Sequence, residues 1–330
     1  MGDIILEVRE VKKYFPAGRG QLLRAVDGVS FGLRQNEILG VVGESGCGKS
    51  TLGRLALRLI EPTAGRIFFR GAEIGKLRHG ALRQVRRAMQ MVFQNPFASF
   101  NPKMRIADSL MEVCRYYGMG REAALDRILS LFSDTGLSEE LLTRRPQELS
   151  GGQLQRLAIT RALLSEPALI VADEPLSALD VSVQAQLLNL LENLRTARSL
   201  SMLFISHDMT VVEYLCDRVM VMYLGRVVEL APAEELFRRT LHPYTRSLIA
   251  AVPRIEGPRE AGGIALKGEA PSPAALITGC AGNSPTKVGV ASCAFAPRCP
   301  DADDRCRTEA PCIQEAAPGH LVSCHRALPD

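Results

Sequence analysis

The sequence has no apolar stretch approaching the roughly 18 uninterrupted residues that a membrane-spanning helix needs. Its start, MGDIILEVRE, carries acidic residues and no apolar core of signal-peptide length. These two absences predict a cytosolic chain that meets a membrane only through a partner. Excess charge is also small: 40 Lys and Arg against 36 Asp and Glu leave +4, with the basic residues scattered through predicted helices. That balance argues against nucleic acid as a partner. Cysteine is scarce before residue 270, where only Cys47, Cys114 and Cys216 occur. No repeat with a period of about 20 to 50 residues is evident, and the chain has no long coiled-coil insertion. What remains is 330 residues with 46% hydrophobic and 23% charged content, the composition of one large folded domain with an appendage.

The most informative segment runs from Gly43 to Ser50, GESGCGKS, between an apolar run and a helical pattern. Glycines at 43, 46 and 48 let the backbone curl so that successive N–H groups point inward, and a helix starting at Lys49 adds its positive end. The segment therefore predicts a phosphate-binding loop formed by Gly43, Glu44, Ser45, Gly46, Cys47, Gly48, Lys49, Ser50 and Thr51. Lys49 is expected to reach the β and γ phosphates and the Ser50 hydroxyl to ligate Mg²⁺. Thr51 suits a helix-capping or ribose-side contact. Cys47 is expected to bind through its backbone, with a thiol whose pKa the loop could lower. Only one such loop occurs, so any second loop of this kind would have to come from another chain.

Strands are predicted at Ile4 to Val11, Glu37 to Gly43, Gly65 to Gly71, Met89 to Gln94, Ala168 to Asp173, Ser201 to His207 and Arg218 to Tyr223. A helix is predicted from Lys49 to Ile60, stopping ahead of Glu61-Pro62. From about Ile106 to Leu142 apolar residues recur at helical spacing, which predicts a helical insertion. Strands alternating with helices around a phosphate loop predict an α/β fold with a parallel core. Cys114 and Cys216 read as core residues. After Pro253 the Gly, Pro and Ala-rich text predicts linker or irregular structure.

LIVADEP, Leu169 to Pro175, places Asp173 and Glu174 at the carboxyl end of a buried strand, where open α/β sheets bind ligands. Asp173 is expected to hold Mg²⁺ through water, and Glu174 to polarise the attacking water. LSGGQ stands upstream at Leu149 to Gln153. Taken alone, SGGQ reads as a helix-capping turn whose Ser hydroxyl, glycine N–H groups and helix start are of the kind that can bind an anion.

With these motifs together, the chain resembles the ATP-binding cassette (ABC) family from residue 4 to about 250. The resemblance implies a P-loop ATPase fold with an antiparallel N-terminal β-subdomain and a helical subdomain at about 105–165. Domain 1–250 would bind ATP, and 251–330 would form a Cys-rich extension. It makes Gln94 the Q-loop glutamine and a Mg²⁺ contact, Ser177 to Asp180 (SALD) the D-loop, and His207 the switch histidine bridging γ phosphate and Glu174. Phe15 would stack on adenine, although Tyr14 is adjacent and either could be a core side chain. In the family two cassettes pair head to tail, so Ser150, Gly151, Gly152 and Gln153 would touch ATP held by the partner's loop. Catalysis would rest on Lys49, Gln94, Glu174 and His207.

GESGCGKSTLGR, FQNPFASFNP, EPLSALDVSVQAQ, HPYTRSLIAAVP and the tail resemble the ATPase subunits of bacterial oligopeptide and dipeptide importers. That likeness implies peptide import at the cytoplasmic face of the inner membrane. The partners would be a second, paralogous ATPase chain, two permease chains contacted by Asn95 to Pro102, and an extracytoplasmic peptide-binding protein. Importers of nickel or other small solutes, and a nontransport cassette acting on nucleic acid or ribosomes, are the alternatives.

Cys280, Cys293, Cys299, Cys306, Cys312 and Cys324 crowd the tail, four of them as C-x5-C-x6-C-x17-C from Cys293 to Cys324. Four thiolates suit zinc or an iron–sulfur cluster, but neither the short CxxC zinc spacing nor the ferredoxin run is present. In some peptide-importer subunits four cysteines at such positions hold a [4Fe-4S] cluster. The resemblance thus implies that cluster on Cys293, Cys299, Cys306 and Cys324, with zinc or unligated thiols as alternatives. Cys280 and Cys312 fall outside the four-ligand pattern.

Overall fold

The computed structural model describes residues 3–18, 21–177, 179–252, 277–279 and 292–327. Cys280, Ala178 of the SALD segment and most of the expected linker lie outside the described residues. In chain order the strands are β1 (Ile4–Pro16), β2 (Gln21–Arg34), β3 (Ile38–Val42), β4 (Ala64–Phe69), β5 (Ala72–Glu73), β6 (Met89–Val92), β7 (Leu169–Asp173), β8 (Ser201–Ile205), β9 (Arg218–Tyr223), β10 (Arg226–Pro232), β11 (Ile277–Gly279), β12 (Gln314–Ala317) and β13 (His320–Val322). The helices are α1 (Lys49–Ala56), α2 (His79–Arg87), α3 (Ile106–Tyr116), α4 (Arg121–Asp134), α5 (Gly151–Leu163), α6 (Val181–Arg198), α7 (Met209–Leu215), α8 (Ala233–Arg238), α9 (Pro243–Ala250) and α10 (Asp304–Thr308). The fold is mixed α/β, as expected.

Contacts divide the chain into two compact units that interleave in sequence. The first comprises Met1–Leu6, Leu33–Glu37 and Phe69–Ile205. Its strands β6, β7 and β8 run parallel, with Met89 opposite Leu169 and Asp173 opposite Ile205. Every residue of β7 and β8 is buried, which is why LIVAD and SMLFI read as unbroken rather than alternating patterns. The expected helical insertion is present as α3 and α4, which pack on one another and bury Ile106, Leu110 and Cys114 from one, Ile128, Leu131 and Phe132 from the other.

The second unit comprises Glu7–Gly32, Ile38–Phe68 and Ser206–Asp330. Parallel pairing joins β3 to β9, and antiparallel pairing then adds β10, β13 and β12 in turn. The tail therefore extends the sheet that carries the phosphate loop. β2 neighbours β1 on one side and pairs antiparallel with β11 on the other. Neither β2 nor β10 was expected from the sequence. The predicted first strand ends at Val11, whereas β1 continues to Pro16. The predicted helix to Ile60 is cut short at Ala56, because Arg58, left-handed at φ 53°, and Leu59 donate their N–H groups back to the Leu55 and Arg54 carbonyls at 2.8 Å each.

Candidate functional site

In the second unit, β3 delivers the chain into GESGCGKS and α1 leaves it. Gly43 has φ 149°, and a Cβ there would lie 2.2 Å from the Met222 carbonyl oxygen. Gly48 has φ 105°, and its Cβ would lie 2.1 Å from the Ala25 carbonyl oxygen. Two glycines are thus required by backbone contact as well as by dihedral angle. The loop is closed by Cys47 N–H donating to the Glu44 carbonyl at 3.3 Å and by Gly225 N–H donating to the Cys47 carbonyl at 2.9 Å. Ser45 and Gly46 are exposed at its crest, whereas Ser50 and Thr51 are half-buried in the first turn of α1.

Lys49 is buried, and its Nζ donates to the Gly43 carbonyl at 2.8 Å and the Glu44 carbonyl at 3.1 Å. The ammonium is thereby held over the loop on which phosphate oxygens would be its stronger acceptors. Cys47 departs from expectation. It is buried, and that burial pushes its thiol pKa up despite the opposing effect of Lys49.

In the same unit His207 is exposed just beyond β8. Tyr14 donates its hydroxyl to the Asp27 carboxylate, which Arg226 also contacts at 2.7 Å. Burial, then the Asp27 hydrogen bond, push its pKa up to about 12. Tyr14 is therefore engaged in the fold, while Phe15 is half-buried with the Lys13 ammonium 5.0 Å from its ring centroid.

The first unit brings Gln94 and Glu174 together: Gln94 Nε2 donates to Glu174 Oε2 at 2.8 Å. Asp173 is buried at the end of β7. Glu174 is left-handed at φ 47°, pinned by its N–H on the Ile205 carbonyl at 2.9 Å and by Ser177 Oγ donating to its own carbonyl at 2.9 Å. A non-glycine residue in this region costs roughly 1–3 kcal/mol and persists only where its surroundings enforce it. Here that conformation holds a carboxylate that the backbone would not otherwise hold.

Ser150 caps α5: its Oγ accepts from Gln153 N–H at 3.3 Å while Gln153 Oε1 accepts from Ser150 N–H at 3.0 Å, a reciprocal capping box. Gly152 has a local reason of its own, since a Cβ there would come 2.6 Å from Val183 Cγ1 on α6. Asp180, exposed, stands at the N-cap of α6.

In the tail, Cys293 N–H donates to the Cys306 carbonyl at 2.9 Å, and Cys299 N–H to the Phe295 carbonyl at 3.0 Å. Burial raises the thiol pKa of Cys293, Cys306 and Cys324, and that of Cys299 to about 11, with Cys293 acting electrostatically on the other three. Four sulfur donors are the right chemistry for a cluster. Among the described residues no group of three or more His, Cys, Asp or Glu is found placed to hold a metal ion. Cys312 is exposed.

The sequence reading missed three tail residues that join this unit's core. Phe295 packs against Tyr223, Tyr244 and His242 with centroids 5.3, 5.5 and 5.6 Å away. Arg298 forks onto Glu44, and His320 Nε2 meets the fully buried Glu229 at 2.8 Å. Their separations along the chain leave no local periodic signal for any of them.

A glycine loop of this geometry opening a helix defines a nucleoside-triphosphate phosphate site. Residues 26–177 match the family described as ABC transporter, and residues 228–306 match the oligopeptide/dipeptide transporter C-terminal region. Over 323 residues the chain is 46% identical to a putative peptide import ATP-binding protein of Brucella ovis, covering 98% of both. It is 47% identical over 333 residues to the oligopeptide transport ATP-binding protein AppF of Bacillus subtilis, covering 98% of this chain and 97% of that one. The dimeric ATP-binding cassette MJ0796, solved with ADP and Pi, aligns with TM-score 0.64 and 27% identity over 69% of this chain and 98% of its own. The chain belongs to the ABC transporter ATPases, in the branch that carries the oligopeptide/dipeptide transporter C-terminal region. It is an ATP-hydrolysing transporter subunit. Among the described residues no helix is long and apolar enough to cross a membrane.

Proposed function

We propose that the chain energises the import of dipeptides or oligopeptides across a bacterial inner membrane, as a peripheral subunit on the cytoplasmic face. The observation that carries this reading is likeness through the tail as well as the ATPase region, to relatives named for peptide import or oligopeptide transport over 97% or more of their length. Two permease chains, an extracytoplasmic peptide-binding protein and a second, paralogous cassette complete the machine in this reading. The ATP-binding domain spans 1–250, its helical part about 105–165, and the extension 251–330.

Lys49 leaves its two loop carbonyls for the β and γ phosphates, while the loop N–H groups receive the remaining oxygens. Mg²⁺ bound with ATP supplies charge neutralisation; Ser50, the buried Asp173 and the Gln94 amide oxygen are oxygen donors of the kind it takes. Gln94 suits this role because its amide nitrogen is spent on Glu174, which leaves the oxygen as the ligating end. Glu174 polarises the attacking water, and His207 reads the γ phosphate. Phe15 stacks on adenine. Ser150, Gly151, Gly152, Gln153 and Asp180 face the partner cassette. Hydrolysis is then positioning and charge neutralisation rather than covalent chemistry. The donor chemistry of Cys293, Cys299, Cys306 and Cys324 supports a [4Fe-4S] cluster in the extension, with a structural or sensory role and no part in hydrolysis.

The test is anaerobic purification from membrane extract with identification of co-purifying chains and with iron, sulfide and zinc analysis. Two permease chains and about four iron and four sulfide per subunit are expected. Ribosomes or nucleic acid in place of a permease would overturn the transport reading, and absence of iron the cluster. In the assembled complex Glu174→Gln is expected to keep ATP binding and to lower turnover at least about 100-fold; turnover within twofold of the unaltered complex removes Glu174 from catalysis.

A further inference from the structure

The first residue after the glycine that opens the phosphate loop is held from two directions. Glu44 N–H donates to the Tyr244 hydroxyl at 2.8 Å. The Glu44 carboxylate accepts both terminal nitrogens of Arg298, at 2.9 and 3.0 Å, across 254 residues of sequence. This is a bidentate fork with the guanidinium side chain 9% and the carboxylate side chain 19% exposed, the geometry in which Arg and carboxylate bind most strongly and most directionally. A guanidinium keeps its charge at any physiological pH.

Arg298 is itself firmly placed. It sits in the turn between Cys293 and Cys299, its N–H donates to the Phe295 carbonyl at 3.0 Å, and Phe295 is wedged among Tyr223, Tyr244 and His242. The same Glu44 supplies one of the two carbonyls that hold the Lys49 ammonium. A carboxylate on a loop built for phosphates is an electrostatic liability, since like charges held at close range repel. Arg298 neutralises that carboxylate and fixes where it points.

We propose that Arg298 is a positioning residue for ATP binding, through which the C-terminal extension sets the charge and conformation of the phosphate loop. The inference rests on the reading of this loop as the ATP site. Tail and nucleotide would then be coupled through one side chain, and anything that displaces the Cys293–Cys299 turn would be felt at Glu44.

The experiment measures Mg·ATP binding by calorimetric titration of the full-length protein, and KM and kcat in the assembled complex, alongside urea unfolding. Arg298→Met should weaken ATP binding about tenfold and raise KM with kcat nearly unchanged. Adding Glu44→Gln to it should restore most of the affinity, because the unneutralised carboxylate is gone. A purely structural role for Arg298 would give no such rescue. If Arg298→Met does not fold, Arg298→Lys carries the test: one ammonium cannot reproduce the fork, and affinity should fall about threefold. An unaltered protein that binds ATP while Arg298→Met, or Arg298→Lys in its place, binds equally well overturns the proposal alone. A double variant no better than Arg298→Met also overturns it. An unaltered protein that binds no ATP overturns the reading of the loop, and this inference with it.

Discussion

Acidification provides a quantitative test of the core that Phe295 completes. His242 is 1% exposed at the N-cap of α9, where its Nδ1 accepts the Tyr244 N–H at 3.1 Å. Protonation would convert that acceptor to a donor. Burial lowers the pKa from 6.5 to about 4, with Glu229 acting in the opposite direction. Between these values the unfolded chain binds a proton that the folded chain does not. Stability from this group is therefore fully present above about pH 6.5 and is lost as pH falls toward 4. At about pH 5 the two pKa values give a loss of about 2 kcal/mol relative to neutral pH. Urea unfolding at about pH 7.5 and about pH 5 measures the change. His242→Asn keeps a side-chain oxygen at the N-cap and removes the titration, so its loss over the same interval should be smaller by about 2 kcal/mol. Equal losses in the two proteins would refute the argument and place the acid sensitivity elsewhere.

Gly48→Ala should abolish ATP binding and lower stability by roughly 2 kcal/mol or more, because its Cβ would meet the Ala25 carbonyl and its φ suits glycine; unimpaired binding in a titration would show that the loop can yield. His320→Leu leaves the buried Glu229 carboxylate with only the N–H groups of Leu241 and His242. Urea unfolding should show a loss of about 3 kcal/mol, largely independent of nucleotide.

How much of this was open to sequence reasoning follows from the range of each interaction. The phosphate loop could be read because left-handed backbone at Gly43 and Gly48 restricts the residue type locally. β3, β7 and β8 could be read because strands buried on both faces leave unbroken apolar runs. β2 was missed because QLLRAVDGVSFGLR mixes buried and exposed positions with two glycines, and β10 because VVELA holds a buried glutamate that propensity counts against a core strand. Glu229 is tolerated there through partners at 241, 242 and 320, which no window contains. Cys47 was misjudged for a related reason: the positive loop environment is visible in the sequence, while the burial that outweighs it is made by packing. The tail cysteines were visible as a pattern, but spacing carries no information on whether four thiols converge.

The pairing of Glu229 with His320 also sets an order of events during synthesis. Ninety-one residues separate the two, so at roughly 5–20 residues per second the ribosome needs roughly 5 to 18 seconds to make the partner after the glutamate. Through that interval the β10 edge that β13 covers has no partner, and until residue 295 is made the aromatic nest around Tyr244 lacks Phe295. An edge left open in this way is a template on which another extended segment can pair. Slower elongation ahead of the tail would lengthen that exposure.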